Sequence, residues 1–382
     1  MNSFLGKIIR NMDWALVGAI FLISLAGLFT MNSFVGENYF FERQVVWVTI
    51  GFIVLFLCSV IDWRFLKRTD VTTLLFVGAN LLLLFLFVSG YAAKGAQSWF
   101  RFGTFSFQPS DFVKIFLILI LAKYFSLRHI EIAHIRHILL SGFYTLIPFV
   151  LVFLQPDFGS AIIIFLIWFG MIVLAGVSKK HLTIVFLVGA LAITFLWSFG
   201  LAGYQKERIV TFLHPLADLR GAGYNAYQST IAVGSGELFG KGVGYGTQSR
   251  LNFLPEYETD FIFAAFAEEW GFIGVLILFG LFGIIMWRIL SNSFLGASNF
   301  EMLFGLGLAL YLMSHFIVHV GMNIGLLPVT GTTLPFMSYG GSHFLAESVG
   351  IGILMGMRRY RRNVHPTVAD QEVVGMHRWC EH

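Results

Sequence analysis

The sequence predicts an all-α polytopic membrane protein of about ten transmembrane helices, with a large extracytoplasmic loop between spans seven and eight. Three observations carry this. Hydrophobic residues make up 57% of the 382 and charged residues only 12%, with 43 Phe and 9 Trp, far from the balance of a soluble domain. The apolar residues come in stretches of about 20, the length at which a helix crosses a hydrocarbon core of roughly 30 Å with its backbone bonded internally. Ionisable residues, by contrast, concentrate between Leu201 and Phe263 and at the ends of the stretches.

Ten spans can be marked, at 14–31, 44–61, 71–91, 112–127, 138–154, 160–176, 182–201, 261–290, 302–326 and 344–357. Ten spans leave both termini on one side. Lys7, Arg10, Arg64, Lys67, Arg68, Lys123, Arg128, Arg136, Lys179, Lys180, Arg288, the four arginines between 358 and 362 and Arg378 fall on that side. Short loops rich in Lys and Arg stay cytoplasmic, so both termini are expected in the cytoplasm. The first span follows Lys7 and Arg10 but is too long for a signal-peptide core and lacks a clean cleavage site, so it reads as an anchor. One membrane domain, 1–363, is followed by a cytoplasmic tail, 364–382.

Cys58 and Cys380 are too few for a disulfide framework or a metal knuckle. The net charge of +4 sits mainly on the cytoplasmic face, where it suits anionic membrane lipids, and points to no nucleic-acid partner. Within the long loop, residues 221–246 are too apolar for a solvated segment and too rich in glycine for a full span. They read as a re-entrant or interfacial element, whose glycines serve either tight helix packing or close approach to phosphate or sugar.

Chemistry is expected where carboxylates meet the membrane boundary. Asp260 stands at the mouth of the eighth span beside Glu256 and Glu258. Crowding and partial desolvation favour the protonated form of such a group and suit it to act as a general base; the plainer reading is an N-cap for the helix that follows. Asp111 and Lys114 share one face of the fourth span, either as a structural ion pair or as a receiver for an anionic ligand. Trp99 and Arg101 just before them offer an aromatic surface for a sugar and a guanidinium for a phosphate. Arg208, Lys241 and Arg250 are further extracytoplasmic cations, with lipid snorkelling as the alternative. Asp157 reads first as a cap of the sixth span. His315 and His319, one turn apart, read as buried hydrogen-bonded histidines, because no third metal ligand stands at suitable spacing. Glu347, inside the tenth span, needs an interior partner such as His343 or a ninth-span histidine.

Several long motifs in register resemble the SEDS family of bacterial envelope growth, and its rod-shape branch more than its division branch. They are Lys94-Gly-Ala-Gln-Ser-Trp99, Phe107-Gln-Pro-Ser-Asp-Phe-Val-Lys114, Gln155-Pro-Asp-Phe-Gly159, the run from Leu251 to Phe263 with Ala267-Glu-Glu269, Met322 to Gly331, and Ser338-Tyr-Gly-Gly-Ser342. The resemblance implies a peptidoglycan glycosyltransferase of the bacterial cytoplasmic (inner) membrane that polymerises lipid II on the extracytoplasmic face. It further implies a class B penicillin-binding protein as transpeptidase partner, alongside other elongation-complex membrane proteins. Asp260 falls on the family's catalytic aspartate. Lys114 and Asp111 fall on its central lysine and acidic residue, where the family usually has Glu. Substrate contacts are expected from Lys114, Asp111, Trp99, Arg101, Arg208, Lys241, Glu258, Asp157 and Ser342. A divalent cation, Mg or Mn, is expected to bridge Asp260 and diphosphate oxygens, and a lipid-linked precursor flippase is the competing reading.

Overall fold

The computed structural model describes residues 12–33, 39–93, 96–102, 105–127, 135–200, 203–213, 222–251, 253–254 and 256–364. Lys94, Arg128 and the tail beyond residue 364 lie outside them.

The elements in chain order are α1 (Trp14–Asn32), α2 (Tyr39–Val60), a 3-10 turn (Trp63–Lys67), α3 (Thr69–Ser89), β1 (Tyr91–Ala93), β2 (Ala96–Phe102), β3 (Phe105–Phe107), α4 (Pro109–Ser126), α5 (Ile135–Leu154), α6 (Phe158–Leu174), α7 (Lys179–Phe195, extended by a π turn at Leu196–Gly200), α8 (Gly203–Leu213), α9 (Ala222–Ser235), α10 (Thr247–Arg250), α11 (Ile262–Phe294), α12 (Asn299–Asn323) and α13 (Gly341–Val364). Each expected span is met by one helix: α1 to α7, then α11 to α13. Six of these are long and apolar enough to cross a membrane by composition alone. The other four fall short for separate reasons: α6 and α7 have only 17 residues each, α4 carries Asp111, Lys114 and Lys123, and α13 carries Glu347 and a basic end.

Helix α4 is the axis of the bundle. Pro109 opens it where no amide partner is needed, and Asp111 in its first turn complements the helix dipole. From Pro109 to Phe125 nearly every residue is buried, because α3, α12, α13, α6 and α5 all pack around it. Helix α7 is the opposite case, with Phe186, Leu187, Val188, Leu191 and Phe195 exposed.

The fold is all-α as expected, with one small sheet among the helices. The segment between α3 and α4 is an antiparallel three-stranded sheet in the order β1-β2-β3, with Tyr91 opposite Trp99 and Arg101 opposite Ser106. Alternation of aromatic and polar residues in Phe100-Arg-Phe102 suits a half-buried strand. Phe100 is buried and Trp99 half-buried, whereas Arg101 is exposed.

Residues 222–251 fold onto α11. Helix α9 packs along it, and α11 is itself interrupted at Gly271 (φ +66°, ψ −169°). An interruption frees carbonyls before it and amides after it, and loop 236–242 takes up both. Lys241 N–H donates to the Glu268 carbonyl (2.9 Å) and Gly242 N–H to that of Glu269 (3.0 Å). Phe272 N–H donates to the Glu237 carbonyl (2.9 Å) and Ile273 N–H to that of Leu238 (3.1 Å). A side chain at Gly271 would collide with Gly240 N, so the two backbones can meet only through glycine.

Candidate active site

The loops before α11 and before α13 close on one another around the entry to α11. Thr259, Asp260 and Phe261 all donate their amides to the Glu256 carbonyl (3.1, 3.1 and 3.2 Å), forming a tight turn. Helix α11 starts at Ile262 with Phe261 in the cap position and no side-chain cap. Asp260 therefore lies one residue ahead of the cap position, and the capping reading does not hold. Its carboxyl is half-buried and faces Gly331, where a Cβ would stand 3.6 Å from Oδ2.

Asn323, at the end of α12, fixes this turn. Its Nδ2 donates to the Asp260 carbonyl (3.0 Å) and its Oδ1 accepts from Ala264 N–H (3.2 Å). The loop 331–340 braces it from the other side: Ser338 Oγ donates to the Thr259 carbonyl (2.9 Å) and Tyr339 N–H to that of Glu258 (2.9 Å). Glu258 itself is buried. Burial, aided by the Glu258 charge, raises the neighbouring Tyr257 phenol above its ordinary range.

A second centre lies inside the bundle. Lys114 Nζ donates to Asp111 Oδ1 (3.1 Å) and to His315 Nε2 (3.3 Å). Asp111 Oδ2 accepts from Ser342 Oγ (3.0 Å), and its Oδ1 faces His343 Nδ1 at 3.4 Å. Lys114 is 1% exposed and Asp111 3%, so this pair is not a surface ion pair of marginal worth. His315 Nδ1 meets the Thr333 carbonyl (3.3 Å) and His319 Nδ1 that of Thr332 (2.7 Å). The two histidines thus bond to the 331–340 loop and not to each other. Through that loop the Lys114 centre is joined to the turn that carries Asp260.

The other expected residues are placed as follows. Asp157 caps α6, accepting Ser160 N–H (3.0 Å), and also accepts from Gln108 Nε2 (2.8 Å) at the mouth of α4. Lys241 Nζ donates to Glu268 Oε1 (2.7 Å) and Thr247 Oγ1 (2.8 Å), which makes it a tie for the 236–250 loop. Arg208 belongs to α8, with its side chain outside the described residues. Arg250 is exposed. Asn323, Ser338 and His343 are structural partners that sequence reasoning does not assign to the site. Glu347 has the partner expected for it, with Oε1 standing 3.0 Å from His343 Nε2. Among the described residues no group of three His, Cys, Asp or Glu side chains is placed to hold a metal ion.

The fold, the half-buried Asp260 and the buried Lys114 centre define a class: polytopic helical membrane proteins with ionisable side chains inside the bundle. Residues 7–363 match the family model described as "Cell cycle protein", that of FtsW, RodA and SpoVE. The chain belongs to this family. It is 35% identical over 327 residues to peptidoglycan glycosyltransferase MrdB of Escherichia coli K12, covering 86% of this chain and 88% of the relative. It is 30% identical over 412 residues to peptidoglycan glycosyltransferase RodA of Treponema pallidum, covering 89% and 94%. Among solved structures, a chain of a peptidoglycan synthase complex described as coordinating polymerization and crosslinking matches with a TM-score of 0.78 and 31% identity, covering 91% of this chain and 98% of that one. The crystal structure of the rod shape determining protein RodA of Thermus thermophilus matches with a TM-score of 0.69 and 30% identity, covering 91% and 97%.

Proposed function

We propose that this protein is a peptidoglycan glycosyltransferase that polymerises lipid II into glycan strands during cell-wall elongation, releasing undecaprenyl diphosphate. The single observation that carries the reading is the joining of Asp260 to the Lys114 centre by one braced loop, in a family whose relatives bear that activity in their names.

The chemistry follows from the bonds exchanged. A sugar 4-hydroxyl attacks an anomeric carbon and diphosphate departs. Asp260 takes the hydroxyl proton in the transition state, a role worth about 10²–10⁴-fold. The departing diphosphate gathers negative charge, which a fixed ammonium stabilises. Lys114 has three N–H donors, of which Asp111 and His315 take two; the third serves the diphosphate. Arg101 and Arg208 supply further positive charge, and Trp99 a sugar-facing ring. A single displacement inverts an α-linked donor to a β-1,4 product. Mg or Mn would have Asp260 as its protein ligand; the described residues supply no three-ligand cage, and no step here runs through a cation.

The active face is extracytoplasmic, both termini are cytoplasmic, and the membrane is the inner membrane of a bacterium. The partner is a class B penicillin-binding protein that cross-links the strands. Similarity to a chain of a synthase complex that coordinates polymerization with crosslinking supports this. The test is lipid II polymerisation by purified protein, with and without that partner, comparing native chain with Asp260→Asn. Polymer from native protein and none from the folded variant supports the enzyme. No polymer from either, with lipid II moved across liposomes, replaces it by the flippase.

A further inference from the structure

Among the buried ionisable groups that the mechanism leaves unused, two stand beside the Lys114 centre on one helix. His343 is 6% exposed and Glu347 0%, both on α13 one turn apart. Every charged or titratable group near them can be named. From α4 come Asp111 and Lys114, from α12 Tyr311, His315 and His319, and from α13 Glu347 itself. From the 331–340 loop, Phe336 N–H donates to Glu347 Oε2 (3.0 Å).

The ring of His343 stands between two carboxylates. Nδ1 stands 3.4 Å from both Asp111 Oδ1 and the Tyr311 hydroxyl, and Nε2 stands 3.0 Å from Glu347 Oε1, an ion-pair distance without hydrogen-bond alignment. A neutral imidazole would turn a lone pair toward one of them. His315 shows the contrasting case: Nδ1 meets a carbonyl and Nε2 meets the Lys114 ammonium, which fits a neutral ring with its proton on Nδ1. Charge counting agrees. With His343 charged, Lys114 and His343 balance Asp111 and Glu347. With it neutral, two buried carboxylates share one cation, an arrangement of high cost in an apolar interior.

We propose that His343 and Glu347 are positioning residues: an imidazolium and its counter-charge that hold Asp111 from the side opposite Lys114. Sharing Asp111 between two cations leaves the Lys114 ammonium less committed to it and free to meet the diphosphate. Glu347 has a second duty through Phe336, which holds a left-handed backbone (φ +61°) in the same loop that braces Asp260. The pair therefore acts on both centres of the site. This inference rests on the glycosyltransferase reading for its effect on rate, though not for its charge state.

The experiment has two arms, both on full-length protein in liposomes. Nitrogen NMR of ¹⁵N-histidine-labelled protein at neutral pH is expected to show an imidazolium signal that vanishes in His343→Asn and turns into neutral imidazole in Glu347→Gln. Glu347→Gln keeps an acceptor for Phe336, so the fold is preserved. In lipid II polymerisation each single variant is expected to lower kcat on the order of tenfold with KM within about twofold. The double variant, neutral at both places, should recover most of that loss. A neutral His343 in native protein, single variants with native kcat, or a double variant as slow as the slower single each overturn the proposal. Absence of polymer from native protein overturns the enzyme reading instead, while the NMR arm still decides the ion pair.

Discussion

Ser338 Oγ and the Thr259 carbonyl meet at 2.9 Å, and this one bond ties the loop before α13 to the residue that precedes Asp260. The same hydroxyl accepts Leu334 N–H at 2.8 Å, so it also closes its own loop. Ser338→Ala leaves a buried amide and a carbonyl without partners. We expect a stability loss of about 1–2 kcal/mol, with a larger fall in polymerisation rate than that loss alone would give. Thermal unfolding beside a kcat measurement checks it; unchanged kcat would detach the loop from catalysis.

Glu268 is fully buried and receives Lys241 Nζ, Thr247 N–H (2.8 Å) and Gln248 N–H (3.0 Å) on one carboxylate. Glu268→Ala strands all of these donors, at a cost of about 3 kcal/mol. Lys241→Met should cost less, since the amides remain bonded. Hydrogen exchange at Thr247 and Gln248 should accelerate far more in the first variant than in the second.

Gly271→Ala places a methyl group against Gly240 N and demands a left-handed backbone of alanine. A loss of more than about 2 kcal/mol is expected, because neither chain can yield without breaking the four shared backbone bonds. A melting temperature equal to the native one would show that the break can be repacked.

Asp13 caps α1 and accepts from Arg288 Nε (2.9 Å), Asn292 Nδ2 (2.8 Å) and Arg358 Nη1 (3.1 Å), which clasps α1, α11 and α13 together. Burial opposes its charge, but hydrogen bonds from Arg288 and Asn292 outweigh it and hold the carboxyl below its ordinary range. A depressed carboxyl stabilises the fold above its unfolded pKa and loses that contribution as pH falls through the folded one. Unfolding measured against pH should therefore show an acid limb below the usual carboxylate range. Asp13→Asn should flatten it.

Much of this is legible in the chain. The ten spans follow from apolar run length, which lipid enforces strictly, and Asp260 stands out because a carboxylate at a membrane boundary is costly. The capping duty of Asp157 is readable from the Pro156-Asp157 turn. Other features are not. The apolar pattern runs through Gly271 unbroken, and its interruption depends on a loop some 30 residues upstream. The sheet at 91–107 joins two three-residue strands to one of seven, in which the adjacent aromatics Trp99 and Phe100 blur the alternation. Lys241 looks like a free extracytoplasmic cation because its partner, Glu268, reads as part of the following span. The meeting of Asp111, His315 and His343 depends on how three distant helices turn their faces, which periodicity does not specify.

The exchange of backbone bonds across Gly271 also bears on how the chain enters the bilayer. Gly271 lies nine residues into α11, roughly 14 Å along its axis at the usual rise per residue. An unbonded peptide group at that depth costs several kcal/mol in hydrocarbon. Neither the two halves of this helix nor the 236–242 hairpin can be satisfied before the other arrives. The eighth span is thus a joint product of two segments: its backbone bonding is complete only with the preceding loop in place.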